Sequence, residues 1–404
     1  NNEIVIVAAK RTPIGSFQGV FNNTTAVELS TVVTKSVIDQ ISMDPNEIDE
    51  AIIGCVLTAG LGQAPARQVS IASGLSLDTG AITVNKVCSS GLQSVLIGND
   101  MIQAGTANIV LAGGMESMTM SPYLMPNARQ GYRMGSGEVI DHMFYDGLQN
   151  PYDQNLMGYF AEQTSKQYGF TREDQDLFSI ESVSRSLRAQ KSGLFDDEIE
   201  PVVVKTRRDT TTISKDEEPE KCDIDKIPSM RPAFDKNGTV TAASSSSISD
   251  GAASLIIMSG DEAESRGLKP LAIIRGHKRH SQEPEWFTTA NIGAIDKLQK
   301  ELNWNKDLVD LYEINEAFAC VTMAAMTDLE IDHKKLNIHG GACALGHPIG
   351  ASAARILITL IYALRNNKGK RGIASACNGG GEAVAIALSL IHISEPTRPR
   401  LISY

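Results

Sequence analysis

The segment 349–364 is apolar nearly all the way round a helix, and a second stretch running through Leu92, Val95, Leu96, Met101 and Ile102 carries few charges. A helix without a polar face has to be covered on every side. Runs rich in β-branched residues surround both stretches. The first has candidate strands at 3–9, 50–56, 81–87 and 108–113; the second has them at 271–275, 310–314, 336–339, 372–376 and 383–390. Candidate helices at 25–40 and 66–73 accompany the first set, and one at 290–302 the second. Strands alternating with helices imply mixed sheets covered on both faces. The pattern occurring twice predicts two similar α/β halves, with the two apolar helices packed between two sheets.

Between the halves the texture changes. From Glu116 to about Gly238 the chain is richer in Met, Pro, Tyr, Asp and Lys, with a polar helix at 172–190 and a charged stretch at 215–221, and it reads as an inserted loop or lid. A return to strand character at 252–258 completes the first half. The expected division is therefore 1–118, completed by about 239–268, for the first half. The lid takes 119–238, the second half 269–390, and 391–404 is a tail with two prolines and no periodicity.

Composition limits the partners. With 404 residues, 42% of them hydrophobic, the chain is long enough for two or three ordinary domains. A net charge of -11 argues against nucleic acid, whose phosphates need a basic surface. No apolar run is long enough to span a bilayer, and the first residues lack the shape of a signal peptide, so a soluble protein without a membrane partner is expected. Six cysteines without a C-x-x-C and seven histidines without an H-E-x-x-H predict no metal site. The scatter of the cysteines suits a reducing intracellular compartment, cytoplasmic or mitochondrial.

Cysteine 88 sits where a candidate strand gives way to the first apolar helix. Unpaired N–H groups and the positive end of the helix dipole favour a thiolate there, so its pKa is expected to fall. Three stretches in the second half carry more glycine and reactive side chains than packing requires: 315–318 (NEAF), 340–352 (GGACALGHPIGAS) and 377–381 (CNGGG). Each lies near the end of a candidate strand, where sheets of this class place their sites. The turn carrying His347 is the second-half counterpart of the turn carrying Cys88, which brings an imidazole toward a thiol. The glycines after Cys377 leave backbone N–H groups free to approach a substrate. The 315–318 stretch reads equally well as a helix cap.

Val-Cys-Ser-Ser-Gly-Leu at 87–92, Ala-Gly-Gly-Met-Glu-Ser at 112–117, Asn-Glu-Ala-Phe at 315–318, Gly-His-Pro-Ile-Gly-Ala-Ser at 346–352 and Cys-Asn-Gly-Gly-Gly at 377–381 resemble the signature blocks of thiolases, most closely the acetyl-CoA C-acetyltransferases. The blocks keep their order and spacing from Ile4 to about Leu390. The resemblance implies a five-layered αβαβα fold with an inserted loop domain, assembled as a homodimer or homotetramer. It implies Cys88 as acyl-accepting nucleophile, His347 as the acceptor of its proton, and Cys377 as the group that moves the α-proton of a second acetyl-CoA. One oxyanion hole would comprise His347 and a water held by Asn315, the other the backbone N–H groups of Cys88 and Gly379. Two holes suit a reaction in which oxyanions develop at two carbonyls. Thioesters have acidic α-protons and good leaving groups, so two thiols and an imidazole suffice, with coenzyme A as substrate and product and no separate cofactor.

By the same resemblance Lys221, Asp223 and Lys226 would approach the nucleotide end of CoA, Ser246 the pantetheine arm, and Met157, Ala317 and Phe318 the substrate. Without it, 215–226 reads as a solvated charged loop. The chain departs from the family pattern at Ser244 and Ser249, where asparagines are usual, at Leu156, where some members carry histidine, and at Val183, where potassium-activated members carry tyrosine. A degradative 3-ketoacyl-CoA thiolase of broad chain-length range shares every block. An inactive acyl-CoA-binding relative would lack one of the four reactive residues, and a decarboxylating ketoacyl synthase would replace Cys377.

Overall fold

The computed structural model describes residues 3–205 and 209–390; the expected tail at 391–404 lies outside them. Nine principal strands form one continuous sheet. In chain order they are β1 (Ile4–Arg11), β2 (Glu50–Gly54), β3 (Gly80–Val84), β4 (Ile109–Ser117), β5 (Ser249–Ser259), β6 (Ala272–Ser281), β7 (Leu311–Ile314), β8 (Arg371–Asn378) and β9 (Glu382–Ser389). Their spatial order is β7-β8-β9-β6-β1-β5-β4-β2-β3. The halves join where β1 pairs with β6 over only three residues, Ile4 to Ile6 against Ile274 to Ala272. Within each half parallel and antiparallel pairs mix, β2 running parallel to β3 and β4, and β7 parallel to β8.

The helices are α1 (Ala26–Gln40), α2 (Pro65–Ala72), α3 (Ser90–Ala104), α4 (Met157–Tyr168), α5 (Arg172–Lys191), α6 (Ala290–Leu302), α7 (Ala319–Asp328) and α8 (Ser352–Asn366). The two apolar helices, α3 and α8, pack against each other in the middle: α3 lies on β2, β4 and β5, while α8 touches strands of both halves. Every residue of α8 from Ser352 to Leu364 is buried. Leu92, Val95 and Leu96 of α3 share one core with Leu357 and Ile361 of α8, Ile6 and Leu255 of the first half, and Ile386 of the second. Helices α1 and α2 cover the outer face of the first half and α6 that of the second, giving five layers. Helix α1 starts where a capping box predicts, Thr25 and Glu28 satisfying each other's backbone N–H. No described helix is long and apolar enough to cross a membrane.

Two candidate strands end differently from expectation. At 336–339 no strand forms: Leu336 makes one isolated bridge to Tyr312, and Asn337 turns to φ 45°. Its side-chain amide pairs with both backbone groups of Ile314, an exchange that replaces a ladder. Strand β3 stops at Val84, because Asn85 Oδ1 accepts the Val87 N–H and Val87 adopts φ 46°. The inserted segment is not loop alone: α4 and α5 lie in it, with Phe160 edge-on to Phe287 and Phe178 stacked on His333 of the second half.

Candidate active site

The turn between β3 and α3 carries Cys88. Its geometry overturns the expectation of a lowered thiol pKa. Helix α3 begins at Ser90, and the N–H groups of Ser89 and Ser90 are already spent on the carbonyls of Lys86 and Val87, each at 3.1 Å. The helix start therefore offers the sulfur little. Cys88 packs against a cluster containing Leu57, Met118 and Ile349. Burial pushes its thiol up to about 12, against the pull of the Gly379 and Cys88 backbone N–H groups that face the sulfur; the carboxyl of Glu116 adds to the rise.

The loop 346–351 between a short helix (Ala342–Leu345) and α8 carries His347. Gly346 has φ 102°, and a Cβ there would lie 2.2 Å from Ser249 Oγ, so only glycine fits. The His347 N–H donates to Ser247 O at 3.0 Å, tying this loop to β5's entry. The ring is buried: Nδ1 lies 2.5 Å from Ser352 Oγ and Nε2 faces Asn315 Nδ2 at 3.4 Å. Burial, helped by the nearby Arg355 charge, pushes the imidazole down to about 3, so it is neutral at physiological pH.

Asn315 directly follows β7 and is not a helix cap; that position, before α7, belongs to Phe318. Its N–H donates to Ser375 O on β8 at 3.0 Å, two residues before Cys377. Cys377 is buried at the end of β8, its thiol driven far above the usual range by burial, then by the neighbouring Cys88 and Cys320.

A cavity of about 260 Å³ opens on this group, and Cys88, His347, Gly379, Met157, Ser246, Ala317 and Phe318 all line it. Asn315 and Cys377 stand behind it, the first against His347 and the second beside Cys88. Ser246 is held by Ala317, whose carbonyl accepts both its N–H (3.0 Å) and its Oγ–H (2.9 Å). Lys221, Asp223 and Lys226 do not reach the lining. Lys221 binds Glu217 at 2.6 Å, while Asp223 and Lys226 pair with each other at 2.9 Å on the surface.

Several lining residues carried no sequence signal. Phe234 comes from the polar inserted segment and meets Phe318 edge-on, and Phe144 and Leu148 come from the same segment. Ser352, which orients His347, and Glu116 both fall inside the motif blocks at 346–352 and 112–117, where the resemblance implies no role for either.

The two halves match two family models in turn: thiolase, N-terminal domain, over residues 4–261, and thiolase, C-terminal domain, over 268–390. The chain belongs to the thiolase family. Among thiolase relatives, a probable acetyl-CoA acetyltransferase of Dictyostelium discoideum is 46% identical over 386 residues, covering 95% of this chain and 93% of that protein. A probable acetyl-CoA acyltransferase of Staphylococcus aureus strain COL is 44% identical over 388 residues, 96% of this chain and 98% of that one. The crystal structure of Acat5 thiolase from Ascaris suum in complex with coenzyme A superposes with a TM-score of 0.91 at 40% identity, over 96% of this chain and all of that one. As a thiolase the protein is an acyltransferase enzyme, and its layers are those of the thiolase fold.

Proposed function

We propose that this thiolase catalyses the reversible condensation of two acetyl-CoA into acetoacetyl-CoA and CoA through an acyl-enzyme on Cys88. The observation that carries the reading is the convergence on one cavity of the Cys88 sulfur, two backbone N–H groups and a neutral imidazole, with a second thiol beside the first. In the first step His347 Nε2 takes the Cys88 proton as the sulfur attacks the thioester carbonyl. The oxyanion is held by the Cys88 and Gly379 N–H groups. The departing CoA thiolate takes a proton from Cys377, leaving Cys377 as thiolate and His347 as imidazolium.

In the second step Cys377 removes an α-proton from the incoming acetyl-CoA, and the enolate oxygen is met by His347 and a water held by Asn315. The enolate carbon attacks the acetyl group, the Cys88 sulfur leaves, and His347 returns its proton. Coenzyme A is substrate and product, and no other cofactor enters. Met157, Ser246, Ala317 and Phe318 fit the role of holding the acyl and pantetheine ends. Lys221, Asp223 and Lys226 serve the nucleotide end from the surface. The coenzyme A complex of the 40% identical Ascaris protein supports coenzyme A as the ligand class. A homodimer or homotetramer is supported by β3, a sheet edge with Ile82 42% exposed.

The test compares kcat/KM for CoA-dependent thiolysis of acetoacetyl-CoA with that for 3-ketoacyl-CoA of eight or more carbons. A preference of about 10-fold or more for the four-carbon substrate is expected. Equal or reversed preference replaces the acetyl-specific reading with that of a broad-range degradative thiolase, and no thiolysis at all overturns both.

A further inference from the structure

Cys88 belongs to the first half of the chain and His347 to the second, so their mutual placement depends on whatever joins the halves near the cavity. Between the two turns the backbones nearly touch. A Cβ on Gly114 of β4 would lie 2.0 Å from Gly350 O, and a Cβ on Gly350 would lie 2.5 Å from Met115 O and 2.6 Å from Glu116 Oε2. Into this junction β4 sends the fully buried Glu116. Its Oε2 accepts the N–H of Gly350 at 2.9 Å, three residues after His347, and the N–H of Val56 at 3.0 Å. Its Oε1 accepts the Leu57 N–H at 3.0 Å and faces Cys55 Sγ at 3.6 Å. Leu57 and Val56 in turn pack in the cluster that holds Cys88 and Ile349.

One carboxyl thus gathers backbone donors from both halves, on either side of the thiol and the imidazole. Buried N–H groups without an acceptor are costly, so the loop carrying His347 follows this acceptor closely. We propose that Glu116 is a positioning residue that sets the distance between His347 and Cys88 through the Gly350 N–H. The inference rests on the acyl-enzyme reading above and adds a residue that touches neither substrate nor reacting atoms. The titratable groups that face the carboxyl are Cys55 and Cys88; burial raises the carboxyl itself to about 7, and its ionised form works against a thiolate on either. Reach and charge are therefore separable: the first helps the reaction and the second opposes it.

Two variants part them. Glu116→Asp keeps an ionisable carboxyl but withdraws the oxygens by one methylene, out of hydrogen-bond reach of Gly350. Glu116→Gln keeps the reach, with its carbonyl turned to Gly350 and Val56 while the Leu57 N–H and the Cys55 thiol lose their acceptor. Acetylation of Cys88 by acetyl-CoA is followed by intact-protein mass, beside kcat and KM for thiolysis of acetoacetyl-CoA. Misplacement of a reacting pair by about 1 Å costs up to about 100-fold, so Glu116→Asp is expected to acylate at least about 10-fold more slowly, with KM within about threefold of wild type. Glu116→Gln is expected to stay within about threefold in both.

The inference is overturned if Glu116→Asp acylates within about twofold of wild type, if Glu116→Gln falls as far as Glu116→Asp, or if the loss lies in KM. It is overturned as well if Glu116→Asp cannot be recovered folded, since the residue then serves folding. Wild-type protein that takes no acetyl on Cys88 sinks the acyl-enzyme reading itself. An acylating wild type beside an unaffected Glu116→Asp sinks this inference alone.

Discussion

His347 Nδ1 lies 2.5 Å from Ser352 Oγ, and that hydroxyl donates its own proton to Pro348 O at 2.9 Å. An oxygen whose hydrogen is already committed accepts from the ring, so Nδ1 carries the imidazole proton and Nε2 is bare. The bare nitrogen faces the Asn315 amide at 3.4 Å on the cavity side. Ser352 thereby selects the tautomer that can take a proton from Cys88.

Removing that selection should slow chemistry without disturbing substrate binding. Ser352→Ala is expected to lower kcat by about 10-fold, and His347→Ala by about 100-fold or more, because a general base contributes about 10²–10⁴-fold. Thiolysis kinetics on both variants check this. A His347→Ala enzyme with near wild-type kcat removes the imidazole from the mechanism, and an unchanged Ser352→Ala removes the tautomer argument.

The free enzyme holds a neutral thiol beside a neutral imidazole rather than an ion pair, since burial moves Cys88 up to about 12 and His347 down to about 3. Alkylation needs the thiolate, so the rate at which iodoacetamide labels Cys88 should climb about 10-fold per pH unit from pH 7 to 9, and acetyl-CoA should protect it. Peptide mapping across that range is the measurement. A rate already flat at pH 7 means a preformed thiolate, and labelling of Cys55 or Cys320 ahead of Cys88 removes the nucleophile assignment.

Apolar periodicity made the layers legible: a helix like 349–364 has to be covered on every side, and α8 is. The cover comes from the two halves of one continuous sheet rather than from the two separate sheets expected. Turn chemistry was less legible. Asn337 reads as one more residue of a β run until its amide is seen closing on Ile314, and nothing local distinguishes it. At the site, the reactive residues stand out because glycines and strand ends frame them, whereas Phe234 and Leu148 line the cavity only through the path of the inserted segment. The thiol's raised pKa is hidden from the sequence for a similar reason. Position at a helix start is visible in a sequence, but the apolar wall around Cys88, and the use of the Ser89 and Ser90 N–H groups by the turn itself, are tertiary facts.

His339 offers a stability test apart from catalysis. It is buried edge-on to Phe195, and burial, aided by the Arg188 charge, lowers its imidazole to about 4. A base whose folded pKa is depressed stabilises the fold fully above its unfolded pKa of about 6.5, and that contribution is lost as pH falls toward 4. His339→Phe removes the titration. Between pH 7 and 4.5 the variant should gain about 2–3 kcal/mol relative to wild type in urea unfolding, since each pKa unit is worth about 1.4 kcal/mol. Parallel pH profiles for the two proteins would show that His339 titrates alike in the folded and unfolded chain.

The two thiols at the cavity have different tasks, and their surroundings say why each needs the other. Cys88 faces the cavity and the two N–H groups, as a nucleophile must; Cys377 is buried behind it, its thiol held neutral by burial and by Cys88. In the proposed sequence Cys377 gives its proton to departing CoA and then takes one from the second acetyl-CoA, so its loss spares attack on the first thioester. Cys377→Ala is therefore expected to become acetylated at Cys88, with acetyl exchange into free CoA slowed by less than about 10-fold. Formation of acetoacetyl-CoA should fall by about 100-fold or more. Cys88→Ala should do neither. Intact-protein mass after acetyl-CoA separates the half-reactions, with product followed by the absorbance of its enolate. A folded Cys377→Ala enzyme that fails to acylate would assign Cys377 to activating Cys88 and leave the α-proton without its base.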